Sequence, residues 1–147
     1  MRKVLSLAVC AICLLCSCSD DKEDNKGLVG LWDITSMYWE HQKLIDNVWS
    51  TYEEVVQPFD FKVTMEFKRG GTGELLEYSE KDGPCGLPLK WTQSGQNLTI
   101  ELGDEEDVDI LPFTILSFDE NTMTLFMEEY AIDEQYRSLT TLGLKRI

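Results

Sequence analysis

His41 is the only histidine in the chain, and it stands beside Glu40 with no nucleophile close to it in sequence. General acid–base catalysis needs a partner held within hydrogen-bond reach, so His41 alone marks no catalytic centre. Cys85 is the only cysteine in the body of the chain, within the turn-forming Asp82-Gly83-Pro84-Cys85-Gly86. A Cys–His pair would have to join these two residues. The densest acid run is Asp104-Glu105-Glu106-Asp107-Val108-Asp109. Calcium takes about six to eight oxygens from a shaped loop, and this run lacks the glycine that shapes one, so it reads as a solvated turn. No carboxylate pair stands out for glycoside hydrolysis. The side chains point away from an enzyme, and neither metal nor cofactor is expected.

The other cysteines are crowded at the start. Cys10, Cys13, Cys16 and Cys18 fall within nine positions, embedded in or bordering an apolar run with no histidine. A disulfide framework would spread its cysteines along the chain. Met1-Arg2-Lys3 is a short positive region, and the 13 uncharged residues from Val4 to Cys16 follow it. That length suits the apolar region of a secretory signal, about 7–15 residues, and falls short of a spanning helix. Leu15-Cys16-Ser17-Cys18 resembles the lipobox of bacterial lipoproteins, with Leu15 three positions before Cys18 and the small Ser17 just before it. The resemblance implies a signal peptide over 1–17 and lipidation of Cys18 with several acyl chains, palmitate-like in size. Two or more chains, at about 0.8 kcal/mol per buried methylene, hold a protein firmly to a bilayer.

Ser19-Asp20-Asp21-Lys22-Glu23-Asp24-Asn25 follows at once. It resembles the export signal by which Bacteroidetes-type lipoproteins reach the outer face of the outer membrane. It also suits the plain solvated linker that any tethered domain needs. The expectation is a lipidated cysteine and acidic tether over 18–27, with the protein anchored in the outer membrane and displayed at the cell surface.

The chain has 147 residues, 43% of them apolar, which suits one domain with a true core. Lys and Arg total 13 against 27 Asp and Glu, a net charge of −14. Without Arg2 and Lys3, 11 bases face 27 acids and the charge is −16. So negative a surface repels phosphate backbones, and nucleic acid is not an expected partner.

From Leu28 onward the apolar residues recur with period two, and turn residues separate the runs. Phe61, Val63, Met65 and Phe67 alternate with Lys62, Thr64, Glu66 and Lys68. Leu76 and Tyr78 share a face, as do Leu89 and Trp91. Leu98, Ile100 and Leu102 form another run, followed by one at Phe113 and Ile115, and then by Met123, Leu125 and Met127. Val48 to Val56 reads as a strand, whereas His41 to Asn47 reads as a loop or a helical turn. Eight or nine short strands with tight turns, polar on one face throughout, favour an all-β, up-and-down barrel of about eight strands over 28–147. Such a barrel is wide enough for side chains alone or for one small ligand.

Gly30-Leu31-Trp32 resembles the Gly-x-Trp signature of lipocalins, and Leu142-Gly143-Leu144-Lys145-Arg146 resembles their last strand. The resemblance implies a lipocalin-like barrel in which Arg146 packs over Trp32, with Gly30 completing the signature. It extends to the small lipocalin-like domains of Bacteroidetes surface lipoproteins. Periodicity agrees independently, since Arg146 shares a face with Leu142 and Leu144. The same regular alternation puts Trp32, Ile34 and Tyr38 on one face.

The four tryptophans, five tyrosines and six phenylalanines are the remaining clue. Tyr38, Phe67, Tyr78 and Trp91, read as inward-facing, would fill the barrel or line a ligand cavity. Trp39 and Trp49 flank His41 to Asn47 and would form an exposed aromatic patch. The expected function is binding of a small, partly apolar ligand in the barrel. The alternative is an interaction module with a filled barrel, whose loops meet a protein or glycan partner at the cell surface.

Overall fold

The computed structural model describes residues 27–57, 62–79, 81 and 83–147. The signal peptide, Cys18 and the acidic tether as far as Lys26 lie outside the described residues. Nine strands follow one another: β1 (Gly30–Ile45), β2 (Val48–Gln57), β3 (Lys62–Lys68), β4 (Thr72–Ser79), β5 (Gly83–Ser94), β6 (Asn97–Asp104), β7 (Asp107–Phe118), β8 (Thr122–Tyr130) and β9 (Tyr136–Arg146). All pairings are antiparallel between successive strands, except that β1 also pairs with β3 and with β9, which closes the barrel. β2 and β3 run along the same side of β1, with Met37 opposite Gln57 and Asp33 opposite Thr64. The two strands therefore share one position, and nine strands make an eight-position barrel.

His41 to Ile45 is strand, not a loop or helical turn. The chain reverses at Asp46 and Asn47, whose φ values of 51° and 64° fit a two-residue hairpin turn. β1 and β2 thus stand beyond the rest of the barrel as a long hairpin, backed on one side by β9.

Two face assignments differ from those expected of the sequence, one through a bulge and one through the phase of the alternation. The β1–β9 register shifts between Ile34 and Ser36, where Thr35 and Ser36 are both exposed. This bulge places Met37, opposite the buried Leu142, on the inner face. Tyr38 consequently faces outward, opposite Thr141 and the exposed Val56. On β4, Leu75 lies opposite the buried Met65, and Gly73 opposite the buried Phe67. Leu76 and Tyr78 therefore occupy the outer face, and Tyr78 is exposed beneath the Lys62 ammonium, which lies 5.8 Å from its ring centroid.

Candidate functional site

One end of the barrel is sealed by its own side chains. Trp32 is fully buried, and its indole N–H donates to the Leu28 carbonyl at 2.9 Å. The Arg146 guanidinium carbon lies 4.3 Å over the Trp32 ring, and Phe118 covers Trp32 from the side, with 5.9 Å between ring centroids. The guanidinium also donates to the Glu120, Val29 and Gly27 carbonyls. That pairing neutralises the cost of holding a charge against the core. Gly30 makes room for it: at φ 149°, a Cβ there would stand 2.5 Å from an Arg146 nitrogen.

Phe67 and Trp91 are brought together here, edge to face, with centroids 5.7 Å apart. Both are buried, and the Trp91 indole N–H is shared by the Lys68 and Thr72 carbonyls. They belong to the packed core. Of the four aromatic candidates from the sequence, two are thus core residues. The other two, Tyr38 and Tyr78, lie on the outer wall, and the four do not converge on one site.

The opposite end is open. Cross-strand partners share a face, so the inner face can be followed from row to row. Along β5, the inward Leu89 is 2% exposed, while the inward Leu87 two residues further on is 42% exposed. The same change runs along β6, from buried Ile100 to half-buried Leu102, and along β7, from buried Phe113 to half-buried Leu111. On β1 it runs from buried Ile34 to half-buried Met37 and Trp39. Inward leucines that solvent still reaches define a funnel whose floor is the core and whose mouth opens at the β1–β2 end.

The hairpin forms the tall side of this mouth. Trp39, His41 and Lys43 alternate on its inner face, opposite Thr140, Ser138 and Tyr136 of β9. A second register shift, between His41 and Gln42 in the β1–β2 pairing, leaves Tyr52 unpaired. Its ring then stacks on His41, with centroids 6.1 Å apart, and meets Tyr136 edge-on at 6.2 Å.

The outer face of the hairpin is differently built. Trp49 lies there, not beside Trp39, because it pairs with Leu44 across the hairpin. The Arg137 guanidinium carbon sits 4.4 Å over the Trp49 ring, and Arg137 also reaches Gln42 at 2.6 Å and Glu128 at 2.7 Å. The Thr51 hydroxyl and the Gln42 amide donate to Glu40 and hold its carboxyl below the ordinary range. Partial burial, then the neighbouring Glu54 and Glu40 carboxylates, push the Tyr38 phenol above its ordinary value. This network braces four strands and leaves the inner face free.

Among the described residues no group of three or more His, Cys, Asp or Glu side chains is placed to hold a metal. Cys85 is an exposed free thiol at the mouth, opposite Glu77. Sequence reasoning missed the funnel residues Met37, Leu75, Leu87, Leu102 and Leu111, because leucines and a methionine in alternating strands carry no mark separating floor from mouth.

A closed, antiparallel, up-and-down barrel of eight positions has an interior just wide enough for side chains or for one small ligand. The chain belongs to the lipocalin-like domain family, whose model matches residues 28–125. Among solved structures it is similar to a lipocalin-like protein from Bacteroides uniformis, at 16% identity and a TM-score of 0.47, over 82% of this chain and 99% of that one. An uncharacterized protein from Bacteroides eggerthii is similar at 12% identity and a TM-score of 0.48, over 81% and 98% of the two chains. Lobster apocrustacyanin A1 shares the fold at 14% identity and a TM-score of 0.51, over 87% of this chain and 66% of its own. No curated protein matches in sequence.

Proposed function

We propose that the protein is a lipid-anchored surface protein that holds a small, partly apolar molecule in the mouth of its barrel, without catalysing a reaction. The observation that carries this reading is the exposure gradient on the inner wall, from Leu89 at the floor to Leu87 at the mouth. An apolar surface facing inward and still wet gains about 25 cal/mol per Å² when a ligand covers it. The family supports binding in general and leaves the ligand open.

Leu87 is exposed enough for Leu87→Lys to fold, yet it would put a charge among the funnel leucines. Titration with an uncharged apolar dye such as N-phenylnaphthylamine should give saturable one-to-one fluorescence enhancement. The Leu87→Lys variant should bind at least tenfold more weakly with its melting temperature nearly unchanged. Absence of saturable binding by the parent protein would remove the proposal.

Anchoring rests on the Leu15-Cys16-Ser17-Cys18 stretch. Metabolic labelling with a fatty acid should mark the wild type and leave Cys18→Ala unlabelled and released from the membrane fraction. Equal labelling of both would exclude Cys18 as the anchor. Surface display is the reading that the acidic tether supports, and protease accessibility on intact cells tests it.

A further inference from the structure

We propose that the mouth selects an amphiphile with an ammonium head, its tail in the funnel and its head on the ring faces of Tyr52 and Tyr136. The proposal rests on the reading of the mouth as a binding site and adds the charge of the ligand. Its first support is a contact the protein already makes. The Lys43 ammonium lies 5.3 Å from the Tyr136 ring centroid, so this face receives a cation in the free protein. Tyr52 and Tyr136 are 59% and 36% exposed, edge to face on the hairpin wall above the leucines, and a ligand head at the rim can reach both. An ammonium group within about 6 Å of such rings is attracted by their quadrupoles, more strongly as water is excluded.

The second support is the charge around the rim. Glu77 shares the inner face with Val63, Asp109 with Leu102, Glu129 with Ser138, and Glu53 with His41. These four carboxylates come from four different strands and surround the funnel, and the acidic β6–β7 turn at Glu105 and Glu106 extends their field. Among the described residues the bases at this end are Lys43, Lys62, Lys81 and Arg137: Lys43 is stationed over Tyr136, while Lys62 lies over Tyr78 and Arg137 over Trp49 on the outer face. A carboxylate or sulfate head entering the mouth would meet acids on every side, whereas an ammonium head would be drawn in. Walls of low dielectric strengthen such a field relative to the open surface.

The test compares three ligands that share a twelve-carbon tail: dodecyltrimethylammonium, dodecyl maltoside and dodecanoate. Each is titrated calorimetrically into the purified protein below its micelle concentration at physiological salt. Dodecyltrimethylammonium should bind at least tenfold more tightly than dodecanoate. Tyr52→Ala and Tyr136→Ala, both at exposed positions, should each weaken the ammonium ligand about fivefold and leave dodecyl maltoside within about twofold. Lys43→Ala should tighten the ammonium ligand by removing its internal competitor. Equal affinity for all three ligands, or preference for dodecanoate, would overturn this inference and leave the funnel as an apolar site. Failure of all three to bind would overturn the reading of the mouth itself.

Discussion

At the scale of single residues, the sealed end depends on Arg146. Its guanidinium covers Trp32 and donates to three carbonyls from two segments: Gly27 and Val29 in the chain entering β1, and Glu120 in the β7–β8 turn. The ring contact contributes about 0.5–2 kcal/mol. A charge-assisted hydrogen bond contributes about 1.5–3 kcal/mol, though water replaces part of it where the group is half exposed. Arg146→Ala should therefore cost about 2–3 kcal/mol, a fall of roughly 5–15 °C in melting temperature by thermal unfolding. Arg146→Lys keeps the charge but not the planar fork, and should lie between the two. A melting temperature unchanged in both variants would mean that the guanidinium is solvated and the Trp32 contact idle. Gly30 belongs to the same device, because a side chain there would occupy the place of the guanidinium.

At the scale of elements, the strand count was legible from alternation, because a half-buried strand writes its burial into every second position. The Gly30–Trp32–Arg146 cluster was legible from the resemblance to lipocalins, with alternation adding only the inward face of Arg146. Which face points inward was legible only where one face is clearly polar, as in β3. In β4, Leu75 and Leu76 are adjacent and both apolar, so alternation alone could not choose; pairing with Met65 decides for Leu75. In β1, no residue type announces the bulge at Thr35, yet that one extra residue sends Tyr38 outward and brings Met37 and Trp39 into the funnel. The funnel itself stayed unread for a related reason: exposure along β5 depends on height in the barrel, which pairing and tilt determine. The bulge gives a sharp prediction. Deleting Thr35 removes one of two successive outward residues, so Met37 and Trp39 keep their inward faces. That variant should fold with a loss of about 1 kcal/mol, the worth of the Thr35 hydroxyl bond to the Gly143 carbonyl. Deleting Met37 instead turns Tyr38 and Glu40 inward and should abolish folding. Urea unfolding of the two variants checks the contrast, and equal loss in both would show that the bulge does not set the faces.

At the scale of the whole molecule, the barrel is asymmetric: a dry half held by aromatic and leucine packing, and a wet half whose tallest wall is a hairpin. The wet half should also be the mobile half. Local opening follows the density of buried apolar contacts and of paired backbone groups. β6 is paired on both sides, with Leu98 and Ile100 fully buried. Among the described residues β2 pairs with β1 alone, and Val48, Tyr52 and Val56 on it are exposed. Amide hydrogen exchange should therefore show β6 and Leu125 to Met127 protected to near the global unfolding limit, with β2 exchanging orders of magnitude faster. The bracing of Arg137 against Trp49, Gln42 and Glu128 makes a further distinction. It ties β1, β2, β8 and β9 together, so Arg137→Ala should speed exchange in β2 and the upper part of β1 and leave β6 unchanged. A ligand seated against the hairpin should slow exchange in those same segments, since it covers the inner face that solvent now reaches. Uniform protection from β2 through β6 would mean that the hairpin is as rigid as the core, and a mouth lined by it would then admit only ligands that already fit.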